Sequence, residues 1–204
     1  MKKNPDPSGD EIRNRPYWRS ALDDLYRSYS RICAYSALWC SPDAAQVDHF
    51  IPIASMKGEN SRLAYDWNNY RLASKSMNTQ KHCFQDVIDP FLVERDWFVM
   101  DFPSLDIRCG DGLSEQEKQR VQATIDRLKL NKKTEYKEYR QSFLLNYCRR
   151  CKVYMAQYPG FAVGLELGML EEVAPFMTYE LKRQGLEIKI IEMMTEDLNL
   201  IGSV

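Results

Sequence analysis

The stretch from Gln46 to Phe84 constrains the fold more than any other part of this chain. Gln46 to Ile53 carries β-branched and aromatic residues and predicts a strand that reaches Asp48 and His49, with Pro52 close behind. Lys57-Gly58-Glu59-Asn60-Ser61 predicts a polar loop, and Trp67 to Ala73 predicts the return strand. Ser76-Met77-Asn78 predicts the start of a short helix running through Lys81-His82-Cys83-Phe84, with Ser76 as its N-cap. The order is strand, loop, strand, helix. The chain has only two histidines, and both His49 and His82 fall inside this segment. They stand among Asp48, Asn69 and Asn78, residue types that ligate metal ions or orient an imidazole.

Composition narrows the class. A chain of 204 residues with 44% hydrophobic and 12% aromatic residues predicts one domain, or one domain with a helical extension, around a real core. No apolar run reaches the roughly 18 residues of a membrane span, so no membrane association is expected. Residues 1–16 hold Pro, Gly and charge without an apolar core, which predicts a flexible tail rather than a signal peptide. A net charge of −1 excludes a protein that coats nucleic acid by bulk charge. Phosphates would have to meet a local basic patch. The six cysteines, with no secretory signal, predict reduced thiols and a cytoplasmic location. Cys148-Arg149-Arg150-Cys151 has the spacing of a zinc pair, but structural zinc wants four ligands, so the expectation is two helix-buried thiols and no structural zinc.

The remaining elements are mostly helical. Trp18, Leu22, Leu25, Tyr26 and Tyr29 recur at helical steps over 17–33. Trp97 to Phe102 and Leu105 to Cys109 predict a small hairpin. Ser114 and Glu117 predict a capping box, followed by a helix to about Leu130 with Val121, Ile125 and Leu128 on one face. Thr134 to Met155 predicts a long helix with Tyr139, Phe143, Leu144, Tyr147, Cys148 and Cys151 inward, stopped by Pro159-Gly160. Leu165 to Lys182 predicts a further helix broken near Pro175. The expected class is α+β: a ββα unit in a mostly α-helical body. The expected division is the tail 1–16, a core 17–89 with its leading helix, and a hairpin and helical C-terminal extension 90–204 that either joins the same compact unit or binds a partner.

Asp48-His49-x-x-Pro52, then Asn69, then Asn78 nine residues later and Lys81 beyond it, resembles the HNH, or ββα-metal, nuclease finger. In that family an Asp-His or His-His pair ends one strand, an Asn follows the turn, and an Asn or His opens the helix. Many members also place Cys-x-x-Cys before the finger for a structural zinc; this chain reads Cys33-Ala34-Tyr35-Ser36 and departs from that pattern. The string from Ala123 to Asn131 is similar to a helix following the finger in some bacterial HNH proteins, including the HNH subunit of the Septu anti-phage pair.

The resemblance implies hydrolysis of DNA phosphodiester bonds. That reaction needs an activated water, a cation against the growing charge, and an aligned substrate. His49 would be the general base, with Asn69 holding its ring or fixing the loop backbone. Asp48, Asn78 and His82 would hold the metal, the last two sharing one helix face by their spacing of four. This set suits Mg²⁺ or Mn²⁺, and the imidazole leaves room for Zn²⁺ or Ni²⁺. Arg71, Lys75 and Lys81 would meet phosphates, while Tyr65 and Trp67 are expected in the core rather than stacked on bases. The implied setting is the nuclease subunit of a bacterial anti-phage or restriction system, with a regulatory partner such as an ATPase subunit. Two alternatives stay open: a nuclease-like module kept for docking a partner, without catalysis of its own, and an RNA-cutting toxin.

Overall fold

The computed structural model describes residues 16–194 apart from 57, 103, 133, 134 and 159, and apart from the side chains of 58–60. The expected tail therefore lies outside the described residues except for Pro16, and so does Pro159. The fold is α+β, with helices and two two-stranded sheets. The chain divides into two compact units. Of the described residues, one holds those up to Ser36 with Cys40–Phe98 and Cys109–Lys129; the other holds Ala37–Trp39, Val99–Arg108 and those from Leu130 onward.

The first unit contains the strand-loop-strand-helix segment. Strand β1, Ala45–His49, pairs antiparallel with β2, Tyr70–Ser74, in a register that sets Asp48 opposite Arg71 and His49 opposite Tyr70. Helix α1, Leu22–Ser28, buries Leu25 completely, and the loop after it joins the sheet where the amide of Ala34 donates to the carbonyl of Leu72 at 2.8 Å. Helix α2, Lys75–Lys81, follows β2 directly.

Each element is shorter than its sequence pattern, for identifiable reasons. The expected helix over 17–33 is a 3₁₀ turn, Tyr17–Ala21, leading into α1, and it stops where Ser30 and Arg31 take positive φ. The expected return strand starts three residues late, because Asp66 accepts from the amide of Asn68 at 2.9 Å and holds Trp67–Asn69 in a 3₁₀ turn. The N-cap of α2 is Ser74, not Ser76: the Ser74 hydroxyl accepts from the amide of Met77 at 3.2 Å. At the other end α2 stops at Lys81, and His82 turns to φ 49°.

Helix α3, Glu115–Arg127, opens on the expected capping box, with the Ser114 hydroxyl and the Glu117 carboxylate each serving the other's backbone amide. Val121 and Ile125 are buried inside it and Leu128 at its C-cap. Ser114→Ala is expected to cost about 1 kcal/mol of stability, read as a lower urea midpoint with unchanged slope. Helix α3, which lies beyond residue 89, belongs to the first unit. Its Thr124 hydroxyl accepts from the amide of Ile88 at 3.0 Å, and its Arg127 pairs with Asp86 at 2.8 Å while covering the Phe84 ring at 3.6 Å. Gly110 in the approach to α3 is a packing necessity, since a Cβ there would lie 1.8 Å from the carbonyl oxygen of Asp96.

The second unit is built on α4, Glu135–Gln157, α5, Gly164–Glu171, and α6, Pro175–Gln184, whose Pro sits at the start of a new helix as the break near Pro175 predicts. Strands β3, Phe98–Met100, and β4, Ile107–Cys109, form the expected hairpin. Leu144, Tyr147, Cys148 and Cys151 of α4 point inward; Tyr139 does not, and stacks on Phe143 while 43% exposed. Burial pushes the Cys148 and Cys151 thiols up to about 12 and about 11, so both are protonated at neutral pH. Glu180, fully buried, accepts from the Met100 amide at 2.9 Å and is neutralised by Arg183 at 2.7 Å. Among the described residues, no helix is long and apolar enough to cross a membrane.

Candidate functional site

His49 ends β1 with its ring in T-shaped contact with two aromatic rings. The centroids of Trp18 and Tyr70 lie 5.1 and 5.2 Å away, both nearly perpendicular to it. Its Nε2 meets the carbonyl oxygen of Ala64 at 3.0 Å. A carbonyl only accepts, so Nε2 carries the proton and Nδ1 is the lone-pair nitrogen. The same oxygen accepts from the Tyr70 hydroxyl at 2.9 Å.

The residue before Ala64 is tied down by Asn69. The side-chain oxygen of Asn69 accepts from the Ile51 amide at 2.7 Å, and its nitrogen donates to the carbonyls of Ile51 and Leu63 at 3.1 Å each. Of the two roles expected for Asn69, the structure displays loop fixing: it clips the loop beside His49 rather than touching the ring.

Burial holds the pKa of His49 below its ordinary 6.5, outweighing the Ala64 bond and the Asp48 charge that act the other way; the Lys81 charge adds to the lowering. The folded protein therefore contains a neutral imidazole at pH 7. Because the unfolded chain takes up this proton more readily, stability from this group is complete above about pH 6.5 and declines as pH falls through that value, levelling off below the folded pKa. Urea midpoints at pH 7.5 and 5.5 are expected to show the decline. His49→Gln should shrink it.

Asp48 points to a different set of partners. Its carboxylate accepts from the Tyr35 hydroxyl at 2.5 Å and pairs with Lys81, whose Nζ lies 3.2 Å from Oδ1 and 3.1 Å from Oδ2. Burial, and then the Asp48 charge, push the Tyr35 phenol far up, so it stays protonated and donates. Lys81 is wholly buried and also donates to the His49 carbonyl at 2.9 Å. One turn earlier on α2, the Asn78 amide donates to the side-chain oxygen of Gln46 at 2.9 Å. Gln46 and Asp48 alternate onto one face of β1, and Asn78 and Lys81 share one face of α2. The strand face and the helix face thus meet pair by pair.

This arrangement brings some of the expected residues together and separates others. Asp48 and Asn78 belong to the meeting faces of β1 and α2, whereas His49, next to Asp48 on the strand, turns instead to Ala64, Trp18 and Tyr70, with Asn69 clipping the adjoining loop. His82 does not share a face with Asn78, because the helix ends before it; its exposed ring turns to Cys83, with Nδ1 3.0 Å from the sulfur. Arg71 and Lys81 were expected to meet phosphates and are instead buried. Arg71 lies along Asp89 with two bonds at 2.9 and 2.5 Å and donates to the carbonyls of Asn68 and Tyr70. Lys75 is exposed in the first turn of α2. Tyr65 and Trp67 were expected in the core; they are 39% and 45% exposed.

The oxygen donors of Asp48 and Asn78 fit a hard, hydrated divalent ion, on condition that the ammonium of Lys81 yields the carboxylate. His82 does not fit with them. Among the described residues no three His, Cys, Asp or Glu side chains converge as a metal site would require. Sequence reasoning missed Trp18, Tyr35 and Gln46. Only Gln46 carried a signal, since it lies two residues before Asp48 and therefore on the same strand face. Comparison with known proteins adds nothing to this geometry: no protein-family model matches the chain, and no curated protein and no solved structure matches it.

Proposed function

We propose that this chain is a divalent-metal-dependent endonuclease that hydrolyses DNA phosphodiester bonds through an HNH-like ββα finger. The observation that carries the reading is the contact of His49 Nε2 with the Ala64 carbonyl, which leaves Nδ1 as a proton acceptor in an imidazole that burial keeps neutral. Such a group suits removal of a proton from an attacking water. Trp18 and Tyr70 fix the plane of the ring, and Asn69 fixes the loop that orients it. Asp48 and Asn78 would hold the cation, and a bound divalent ion supplies charge against the phosphoryl oxygens and the leaving group. The setting in a bacterial anti-phage or restriction system, with a regulatory protein partner, belongs to the same proposal.

The reading is tested by calorimetric titration with Mn²⁺. Wild type is expected to bind, and Asp48→Ala and Asn78→Ala to bind roughly tenfold or more weakly. Equal affinity in all three removes both residues from the ligand set.

One observation favours a second reading. Lys81 already neutralises Asp48 inside the unit, so a finger of this kind holds its shape without a divalent ion and would serve to dock a partner without cutting. Absence of both Mn²⁺ binding and cleavage in a folded wild-type chain would select it.

A further inference from the structure

The walls of the His49 site continue outward as aromatic rings that the sheet does not bury. Trp18, in edge contact with His49, lies 6.4 Å from Tyr65, and Tyr65 lies 6.2 Å from Tyr17. Tyr70, also in edge contact with His49, lies 6.1 Å from Trp67. The inner rings are buried or half-buried, whereas Tyr17, Tyr65 and Trp67 are 68%, 39% and 45% exposed. Tyr17 forgoes most, and Tyr65 and Trp67 a large share, of the burial that places such rings in cores. Tyr65 and Trp67 are each one ring removed from the lone-pair imidazole and Tyr17 two, which makes them continuous with the candidate site.

The basic side chains expected at phosphates supply little of the grip here. The net charge is −1, and two of the three basic side chains nominated for phosphate contact, Arg71 and Lys81, are enclosed against Asp89 and Asp48. A duplex presents phosphates outward and keeps its bases stacked on one another, so it has little to offer exposed rings. A single strand has free base faces, and every base has one.

We propose that Tyr17, Tyr65 and Trp67 form a stacking platform for the bases of single-stranded nucleic acid, flanking the phosphate that reaches His49. The proposal rests on the hydrolytic reading and names its substrate class: the strand is held by its bases, and the linkage between them is presented to Nδ1. Sequence context around the cut is then weak, because stacking tolerates any base.

The test is equilibrium binding to the full chain in EDTA, where no metal-dependent cutting intervenes, read by fluorescence anisotropy. The probes are labelled oligo(dT), oligo(U), an abasic sugar–phosphate strand of equal length, and duplex DNA. At least one base-bearing strand should bind about tenfold or more tightly than the abasic strand and the duplex. Trp67→Ala and Tyr65→Ala should each weaken it about five- to a hundredfold, and Trp67→Phe should keep most of it. Equal binding of abasic and base-bearing strands, no binding of any probe, or indifference to Trp67→Ala overturns the platform. Cleavage that requires His49 but ignores Trp67 removes the platform and leaves the hydrolytic reading standing; base-dependent binding by a chain that never cuts does the reverse.

Discussion

His49→Ala is expected to lower the rate of metal-dependent strand cleavage by roughly a hundred- to ten-thousandfold. The size follows from what a positioned base contributes. Burial depresses the pKa of the imidazole below its ordinary value, which favours the neutral, proton-accepting form at pH 7. Its tautomer is set by the Ala64 carbonyl, and its plane by two perpendicular aromatic neighbours. An alanine keeps the strand register but leaves the water without an acceptor. The ring is also packed, so a measurement of folding must accompany the rate. His49→Gln fills more of the space and can still donate to Ala64, and it should be as inactive as alanine while more stable. A glutamine variant cutting at the wild-type rate would remove His49 from the chemistry.

The second large effect is on stability. Lys81→Met is expected to destabilise the protein by about 3–5 kcal/mol. The lysine is entirely enclosed, and its ammonium serves both oxygens of Asp48 and the His49 carbonyl. A methionine fills much the same space but leaves the carboxylate buried with the Tyr35 hydroxyl as its remaining partner among those observed. Removing the charge as well should restore much of the loss, because a buried pair replaced by uncharged groups is often close to neutral. Denaturant midpoints of Lys81→Met, Asp48→Asn and the double variant form a cycle that isolates the pair. A loss under about 1 kcal/mol for Lys81→Met would mean that water or rearrangement compensates the carboxylate.

These two residues also mark what could and could not be read from the chain. The ββα order was legible because Val47, Tyr70 and Leu72 are strand formers and the segment between Asp48 and Lys81 is punctuated by a polar loop. The capping box at Ser114 and Glu117 was legible because two side chains three apart satisfy each other's amides without help from the rest of the fold. Boundaries were not. The Asp66 turn and the Ser74 cap compete with patterns that run past them, and the winner depends on hydrogen bonds between residues with no periodic signature. The early stop of α2 removed His82 from the face of Asn78, although their spacing of four is right for a helix that continues.

Burial of charge was the least legible feature. Lysine and arginine are rarely enclosed unless paired, and neither the Asp48 partner of Lys81 nor the Asp89 partner of Arg71 is near it in sequence. Those pairings are made by the fold, when α2 lies back on β1 and when the loop at Asp89 closes over β2. The converse error placed Trp67 and Tyr65 inside. Ring size argued for a core, while the 3₁₀ turn at Trp67–Asn69 turns the indole outward.

The measurement closest to the central claim is a digest of supercoiled plasmid and of a single-stranded circle by the purified chain, with Mg²⁺, with Mn²⁺ and with EDTA, beside His49→Gln prepared in the same way. The account predicts nicked or linear products from wild type in a divalent metal only, and intact nucleic acid from the variant. Intact substrates from wild type under every metal, or the same products from His49→Gln, would contradict it.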